Sequence, residues 1–355
     1  MNLFNKDAGS ALEAKEKAQW IAYAPFAFQG ARALRDFGIL EYIESRKPET
    51  VTIEEVEKKC NLSHYGARVL MEAGLGIGLL LLEGEKYRLS KTGFFILSDP
   101  MTKVNMDFTH DVCYEGLFRL DESIRNGKPE GLKVFGNWKT IYEGLSKLPV
   151  HVQRSWFGFD HYYSDQAFPS AAKVVFKDKP KKILDIGGNT GKWAIHCVKN
   201  DPDVHVTIMD LPGQLDMARK NIKEMGLSHR ISFFENNLLE GSKKFPGGFD
   251  TIWMSQFLDC FSDDEIVSIL TSCRDALAEN GHVYILETLW DKQGFETSAF
   301  CLQMTSLYFT ALANGNSQMY SSKAFSKCVE RAGYKVAEQS DKIGGYHSLM
   351  KCRKV

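Results

Sequence analysis

The 355-residue sequence lacks most of the features that would direct it to a membrane, a nucleic acid or a metal. No stretch approaches the roughly 18 consecutive apolar residues of a membrane-spanning helix. The segment from Met1 to Ser10 has no apolar core of the kind a signal peptide needs, so a cytoplasmic location is expected. Lys and Arg number 44 against 45 Asp and Glu, a net charge of −1, and no global field draws the chain to DNA or an anionic bilayer. The eight cysteines (Cys60, Cys113, Cys197, Cys260, Cys273, Cys301, Cys328 and Cys352) contain no CxxC pair. That spacing argues against a zinc site or a disulfide framework, so reduced thiols and no metal are expected. With 44% hydrophobic residues, the chain can build one large domain and a smaller one.

The stretch on which the rest is organised is residues 181–192, Lys-Lys-Ile-Leu-Asp-Ile-Gly-Gly-Asn-Thr-Gly-Lys. It reads as a short buried strand up to Asp185, a turn through Gly187, Gly188 and Gly191, and a helix resuming at Trp193, Ala194 and Cys197. Glycine suits such a turn because positive φ and close backbone approach to a ligand both exclude a Cβ. The amides opening the new helix face whatever occupies the turn. A GxGxxG fingerprint would need glycine at 187, 189 and 192, where Asn189 and Lys192 stand. A phosphate loop fails because Ile186 replaces its first glycine and Trp193 follows the lysine. Asp-x-Gly-x-x-x-Gly remains.

That pattern resembles motif I of the class I S-adenosylmethionine (SAM) methyltransferases, whose acidic residue and glycine turn take the methionine end of the cofactor. The next strand ends at Asp210, about twenty residues on, where a doubly wound sheet places a carboxylate on ribose hydroxyls. The plainer alternative is a strand-to-helix turn that merely caps a helix.

In chain order, residues 11–45 read as helices with Pro25 kinking or dividing them. A helix-turn-helix follows, its first helix opened by a Thr52 and Glu55 capping box and its second by Ser63. An alternating pair of strands around Glu83 and Gly84 completes a winged helix. From Lys17 to Asp99 about eleven basic and eleven acidic residues balance, and the second helix carries only Arg68, which speaks against DNA binding. Phe26, Phe28, Leu79, Leu80, Leu81, Leu82, Phe94 and Phe95 supply more apolar surface than so small a domain buries alone, so a partner is expected to cover it, the alternative being packing within the chain. Residues 101–175 are a helical linker rich in aromatics and histidines, among them His110, Trp156, Phe159, His161, Tyr162 and Tyr163. From residue 176 strands and helices alternate as in a parallel sheet covered on both faces, closed by a C-terminal antiparallel hairpin around Gly344 and Gly345.

A winged-helix domain over residues 1–100, this linker and a Rossmann-like α/β sheet over 176–355 together resemble the caffeic-acid and polyketide type of O-methyltransferase. The resemblance spans nearly the whole chain and implies a homodimer joined through the N-terminal domain, SAM as cofactor and a small-molecule acceptor. Residue by residue, it implies cofactor contacts from Asp185, Gly187, Gly188 and Gly191, from Asp210 with Leu211, and from Asn237 with Leu238, where Asn237 replaces an adenine-contacting Asp. Phe-Asp-His-Tyr-Tyr-Ser-Asp from Phe159 is similar to the family's Phe-Asn-x-x-Met-Ser-Asp, with Tyr163 in place of the Met and Ser164 retained. Ser255 stands where a cofactor-contacting Lys is usual.

The departures concern catalysis. Asp259 occupies the position of the general-base histidine; Glu287 matches one of the two acids that orient it, and Met319 stands near the other. Asp259 serves as base if burial or Glu287 raises its pKa, since an ordinary carboxylate is about six units too weak for a phenol of pKa near 10. His161 or His110 are alternative bases, and for each a purely structural role is the simpler reading. The acceptor implied is a small hydroxylated aromatic or polyene-like metabolite. C-methylation, a SAM-dependent decarboxylation or hydroxylation, and a ligand-sensing winged-helix regulator are the rival readings.

Overall fold

The structure, a computed structural model, describes Phe4, Asp7 and residues 9–238 and 245–355. The chain divides into two compact units, one ending at Thr109 and the other running from His110 to Val355.

The N-terminal unit opens with the helix Ala11–Asp36, started by Ser10 and Glu13, whose backbone amides each bond the other's side chain. Pro25 does not divide it. One unbroken helix runs through it, because the interrupted turn lies on an exposed stretch where the carbonyl that loses its amide partner can take water. The Thr52 box forms as expected: Thr52 N donates to Glu55 Oε2 at 2.7 Å and Glu55 N to Thr52 Oγ1 at 3.3 Å, opening the helix Ile53–Cys60. Asn61, at φ 53°, ends it, and Ser63 caps the helix His64–Gly76. Strands β1 (Leu80–Glu83) and β2 (Lys86–Leu89) pair antiparallel as the wing. Leu34, Ile39, Leu40, Ile43, Val56, Met71 and Leu80 form the core. Leu79 belongs to that core and Phe28 packs on it, so part of the apolar excess is internal. Phe26, Leu82, Phe94 and Phe95 remain exposed, joined by Trp20, Ile21 and Tyr23.

The second unit is a seven-stranded sheet of β3 (Lys182–Ile186), β4 (His205–Asp210), β5 (Ile231–Glu235), β6 (Phe249–Ser255), β7 (Leu277–Glu287), β8 (Tyr334–Ile343) and β9 (His347–Lys354). The order is β5-β4-β3-β6-β7-β9-β8, parallel except for β9, which runs antiparallel to both its neighbours. Strand β3 is buried at every position but its first, the run of apolar residues expected of a strand covered on both faces. Helices build one core on each face. On one, Trp193 lies over Trp253 with ring centroids 3.9 Å apart and planes tilted by 14°; on the other, Leu184, Met254, Ile269 and Phe325 pack together. The chain winds from β3 to β4 and β5 on one side, then crosses back to β6 on the other. The carboxyl ends of β3 and β6 therefore flank a crevice at the point where strand order reverses, the place where such sheets bind ligands.

Candidate active site

At the end of β3 the turn is closed by local geometry. Gly187 has φ +74°, its amide donates to Met209 O at 2.9 Å, and a Cβ there would stand 2.2 Å from Cδ2 of Phe257. Only glycine fits. Asn189 also takes positive φ, and its amide donates to Asp210 Oδ2 at 2.8 Å, while Leu211 N donates to Asp210 Oδ1 at 2.7 Å. Asp210 thus braces the glycine turn as well as ending β4. Gly191, in the left-handed region, caps the helix Lys192–Asn200. Asp185 is buried, and among the described residues its Oδ2 has no hydrogen-bond partner. Burial, and then the neighbouring Asp210, push its carboxyl well above the usual range; burial lifts Asp210 itself to about 6 against the two amides. Asn237 and Leu238 follow β5 directly, beside Asn236, whose amide donates to Asp210 O at 3.2 Å.

The end of β6 builds the other wall. Ser255 has a buried Oγ without a partner among the described residues. Gln256 follows at φ +46°, its amide bonded to Leu286 O at 2.8 Å and its side chain to His347 Nε2 at 3.0 Å. This strained residue swings the chain into the tight turn Leu258–Cys260. Glu287, at the end of β7, holds that turn: its Oε1 accepts Phe257 N at 3.0 Å and Leu258 N at 2.8 Å, and its Oε2 has no partner among the described residues. Asp259 is 5% exposed and accepts the Cys260 thiol at 3.4 Å. Burial pushes Asp259 up to about 6, and burial together with Asp259 drives Glu287 well above the carboxylate range. Of the two, Glu287 is the one that keeps its proton. Met319, near the position of the second orienting acid, is buried with its sulfur accepting Thr288 Oγ1 at 3.5 Å.

The helix Val150–Val175 supplies the third wall. Ser164 is buried with its hydroxyl on Asp165 at 3.4 Å, and Asp165 pairs with Lys192 Nζ at 2.5 Å, tying this helix to the one after the glycine turn. Tyr163 sits among the rings of Phe159, Tyr162 and Tyr346. His161 Nδ1 is 3.7 Å from Asp160 and 4.0 Å from Asp165, and burial followed by Lys192 lowers its pKa. His110 is engaged by Asp111 at 2.7 Å.

Reading the sequence singled out the two walls but missed groups between them. Asp160 accepts Asn189 Nδ2 at 3.3 Å and keeps 26% of its side-chain surface, yet burial, then Asp259 and Asp165, raise it to about 7. Asp160 is thus crowded by other carboxyls and still partly exposed. Tyr142 and Tyr308 share that neighbourhood, their phenols raised by burial and by Cys260, with Trp156 Nε1 donating to Tyr308 at 2.8 Å. The signal available for Asp160 was its position four residues before Ser164, on one helix face with a residue already selected.

The residues fit SAM. An orphaned, buried Asp185 oxygen and a turn that a single Cβ at Gly187 would fill are what a cofactor with hydrogen-bond donors and a close backbone approach requires.

A family model described as an O-methyltransferase domain matches residues 172–335, and one described as a Dimerisation2-like domain matches residues 15–87. The chain is similar to an L-tyrosine C(3)-methyltransferase of Streptomyces lavendulae, 25% identical over 90% of this chain and 86% of that one. It is likewise similar to a 3-hydroxy-5-methyl-1-naphthoate 3-O-methyltransferase of Streptomyces sahachiroi, 25% identical over 67% of each. Its fold matches NcsB1, an O-methyltransferase from neocarzinostatin biosynthesis solved with SAM and 2-hydroxy-5-methyl naphthoic acid, at TM-score 0.70 and 19% identity over 92% of this chain and 96% of that one. With a glycine turn and paired carboxyls at the switch point, and with an O-methyltransferase domain following a Dimerisation2-like domain along it, the chain is a SAM-dependent methyltransferase.

Proposed function

We propose that the protein methylates the hydroxyl of a small aromatic or polyketide-like acceptor and does so as a homodimer. The observation that carries the reading is the convergence, at one switch point, of the glycine turn with its orphaned Asp185 oxygen and the buried Asp259 and Glu287 pair. Bound SAM supplies an electrophilic methyl for in-line displacement. Asp185, Gly187 and Gly188 would hold its methionine end, Asp210 and Leu211 its ribose, and Asn237, Leu238 and Ser255 the adenine side. Tyr163 and Ser164 close that crevice from the helix Val150–Val175.

Asp259 is the base. Its rise to about 6 recovers about two of the six units that separate an ordinary carboxylate from a phenol, about 3 kcal/mol of proton-transfer driving force. Glu287, protonated and fixed by two backbone amides, holds the turn that aims Asp259 and leaves it the single negative charge of the pair. Much of the remaining acceleration comes from holding acceptor oxygen and methyl in line in a dry crevice. His161 keeps a positioning role beside Asp160 and Asp165.

The dimer reading is supported by the Dimerisation2-like match and by the exposed Trp20, Ile21, Tyr23, Phe26, Phe94 and Phe95 of the N-terminal unit. Light scattering returning the mass of a single 40.1 kDa chain would remove it.

A second reading, C-methylation, is favoured by the replacement of the histidine base with Asp259 and by the similarity to the L-tyrosine C(3)-methyltransferase. A phenolate spreads its charge to the ortho carbon, so the same deprotonation serves either atom. Formation of S-adenosylhomocysteine from SAM with a panel of phenols tests the activity. NMR of the product separates an aryl methoxyl from an aryl methyl, and no turnover of any phenol by SAM-loaded protein would sink both readings.

A further inference from the structure

The crevice gathers more carboxyl groups than one sulfonium can offset. Asp160, Asp259 and Glu287 approach it from a helix, a turn and a strand end, and Glu287 Oε2, on a residue only 2% exposed, is left without a partner among the described residues. Lys192, the cation that favours an ionised Asp160, is already paired with Asp165 at 2.5 Å. Among the described residues no ion pair reaches Asp259, and burial followed by Lys192 lowers the pKa of His161. Glu287 keeps its proton, the sulfonium of bound SAM offsets Asp259, and Asp160, crowded by Asp259 and Asp165, is the carboxyl that a second cation would ionise. One carboxyl is left without a counter-cation.

Asp160 is the group placed to use it. Its one side-chain hydrogen bond among the described residues comes from Asn189 Nδ2, at a long 3.3 Å, leaving lone pairs free toward the crevice. It also keeps 26% of its side-chain surface, so a ligand can reach it. A negatively charged aromatic acid entering here would meet like charge in a low-dielectric space, whereas an ammonium would meet a carboxylate that lacks a cation.

Resting on the methyltransferase reading above, we propose that the acceptor is an amine-bearing phenol and that Asp160 is the specificity-determining residue that binds its ammonium group. The test uses three phenols that share a para-substituted ring: tyramine, 4-ethylphenol and 3-(4-hydroxyphenyl)propionate. Each is titrated calorimetrically into the full-length protein loaded with S-adenosylhomocysteine, and each is also assayed for methyl transfer. Tyramine is expected to bind at least about tenfold tighter than 4-ethylphenol, with the propionate weakest. Asp160→Asn should erase the tyramine preference and improve the propionate, and Asp160→Glu should restore part of it. Equal or tighter binding of the propionate by the wild-type protein would overturn the proposal. So would an Asp160→Asn protein, shown folded by a cooperative melt and an unchanged far-ultraviolet dichroism spectrum, that shifts all three ligands by one factor or loses SAM affinity with the order intact. The binding order reads the charge preference by itself; absence of methyl transfer to all three, with SAM bound, would instead count against the methyltransferase reading.

Discussion

The two ends of the crevice are built from the same residue type and behave differently. At the end proposed for the cofactor, Asp210 spends both oxygens on backbone amides at 2.8 and 2.7 Å, so its position is set by the fold. At the end proposed for the acceptor, Asp160 and Asp259 make long contacts to an amide side chain at 3.3 Å and a thiol at 3.4 Å. A carboxylate locked by main-chain donors recognises a constant ligand, and one held loosely between side chains is available for protons and for variable chemistry. Against the resemblance, a histidine and an acid at the acceptor end give way to Asp259 and Met319, whereas at the cofactor end the glycine turn and Asp210 stay and Asn237 and Ser255 depart.

The sharpest way to break this contrast is Asp259→Asn. It should lower kcat by about a hundredfold or more, as expected for losing a general base, with SAM affinity within about twofold of wild type. The wild-type rate should rise with pH through about 6 and level off above it, because the base acts ionised, and the step should vanish in the variant. Retained turnover would leave the acceptor end without a base. Next in size, Asp210→Ala should weaken SAM binding by about 2–3 kcal/mol, roughly 30- to 150-fold, since it removes a ligand contact and the brace of the glycine turn together. Calorimetry giving wild-type affinity would contradict the placement.

The buried acids at both ends set a third expectation. Asp160 rises to about 7 and Asp210 to about 6, so between about pH 4 and 7 the folded protein holds protons that the unfolded chain has released. Their contribution to stability is full below the unfolded values and is lost as pH rises through the folded ones. Thermal melts of the cofactor-free protein should therefore fall between pH 5 and 8, less steeply in Asp160→Asn; a slope that the substitution leaves alone would show that other groups carry it. Smaller still, Thr52→Ala should cost about 1 kcal/mol in the N-terminal unit through the lost cap, without touching SAM affinity. Smallest, His161→Gln should change kcat less than about threefold; a hundredfold loss would move the base from the turn to the helix.

How much of this was legible follows the range of the interactions. The Thr52 box, the glycine turn, the wing and the C-terminal hairpin are each written in one short continuous stretch of sequence, and each formed where the sequence put it. The division at Pro25 failed because a local rule about lost hydrogen bonds depends on whether water replaces the partner, which is a matter of exposure. Phe28 and Leu79 were counted as outward-facing because composition gives an amount of apolar surface and not its direction. Asp160 escaped for a different reason. Its meaning comes from Asn189 and Asp259, 29 and 99 positions further along, and only the crossover from β5 to β6 brings those together.

The paired indoles of Trp193 and Trp253 sit one residue beyond Lys192 and directly beside Asp185 in the sheet register. Two identical chromophores at 3.9 Å share their excited state, so the protein carries a built-in spectroscopic ruler under its catalytic cleft. Any event that tightens or slackens the loop above should register as a change in near-ultraviolet dichroism and emission, with no label attached.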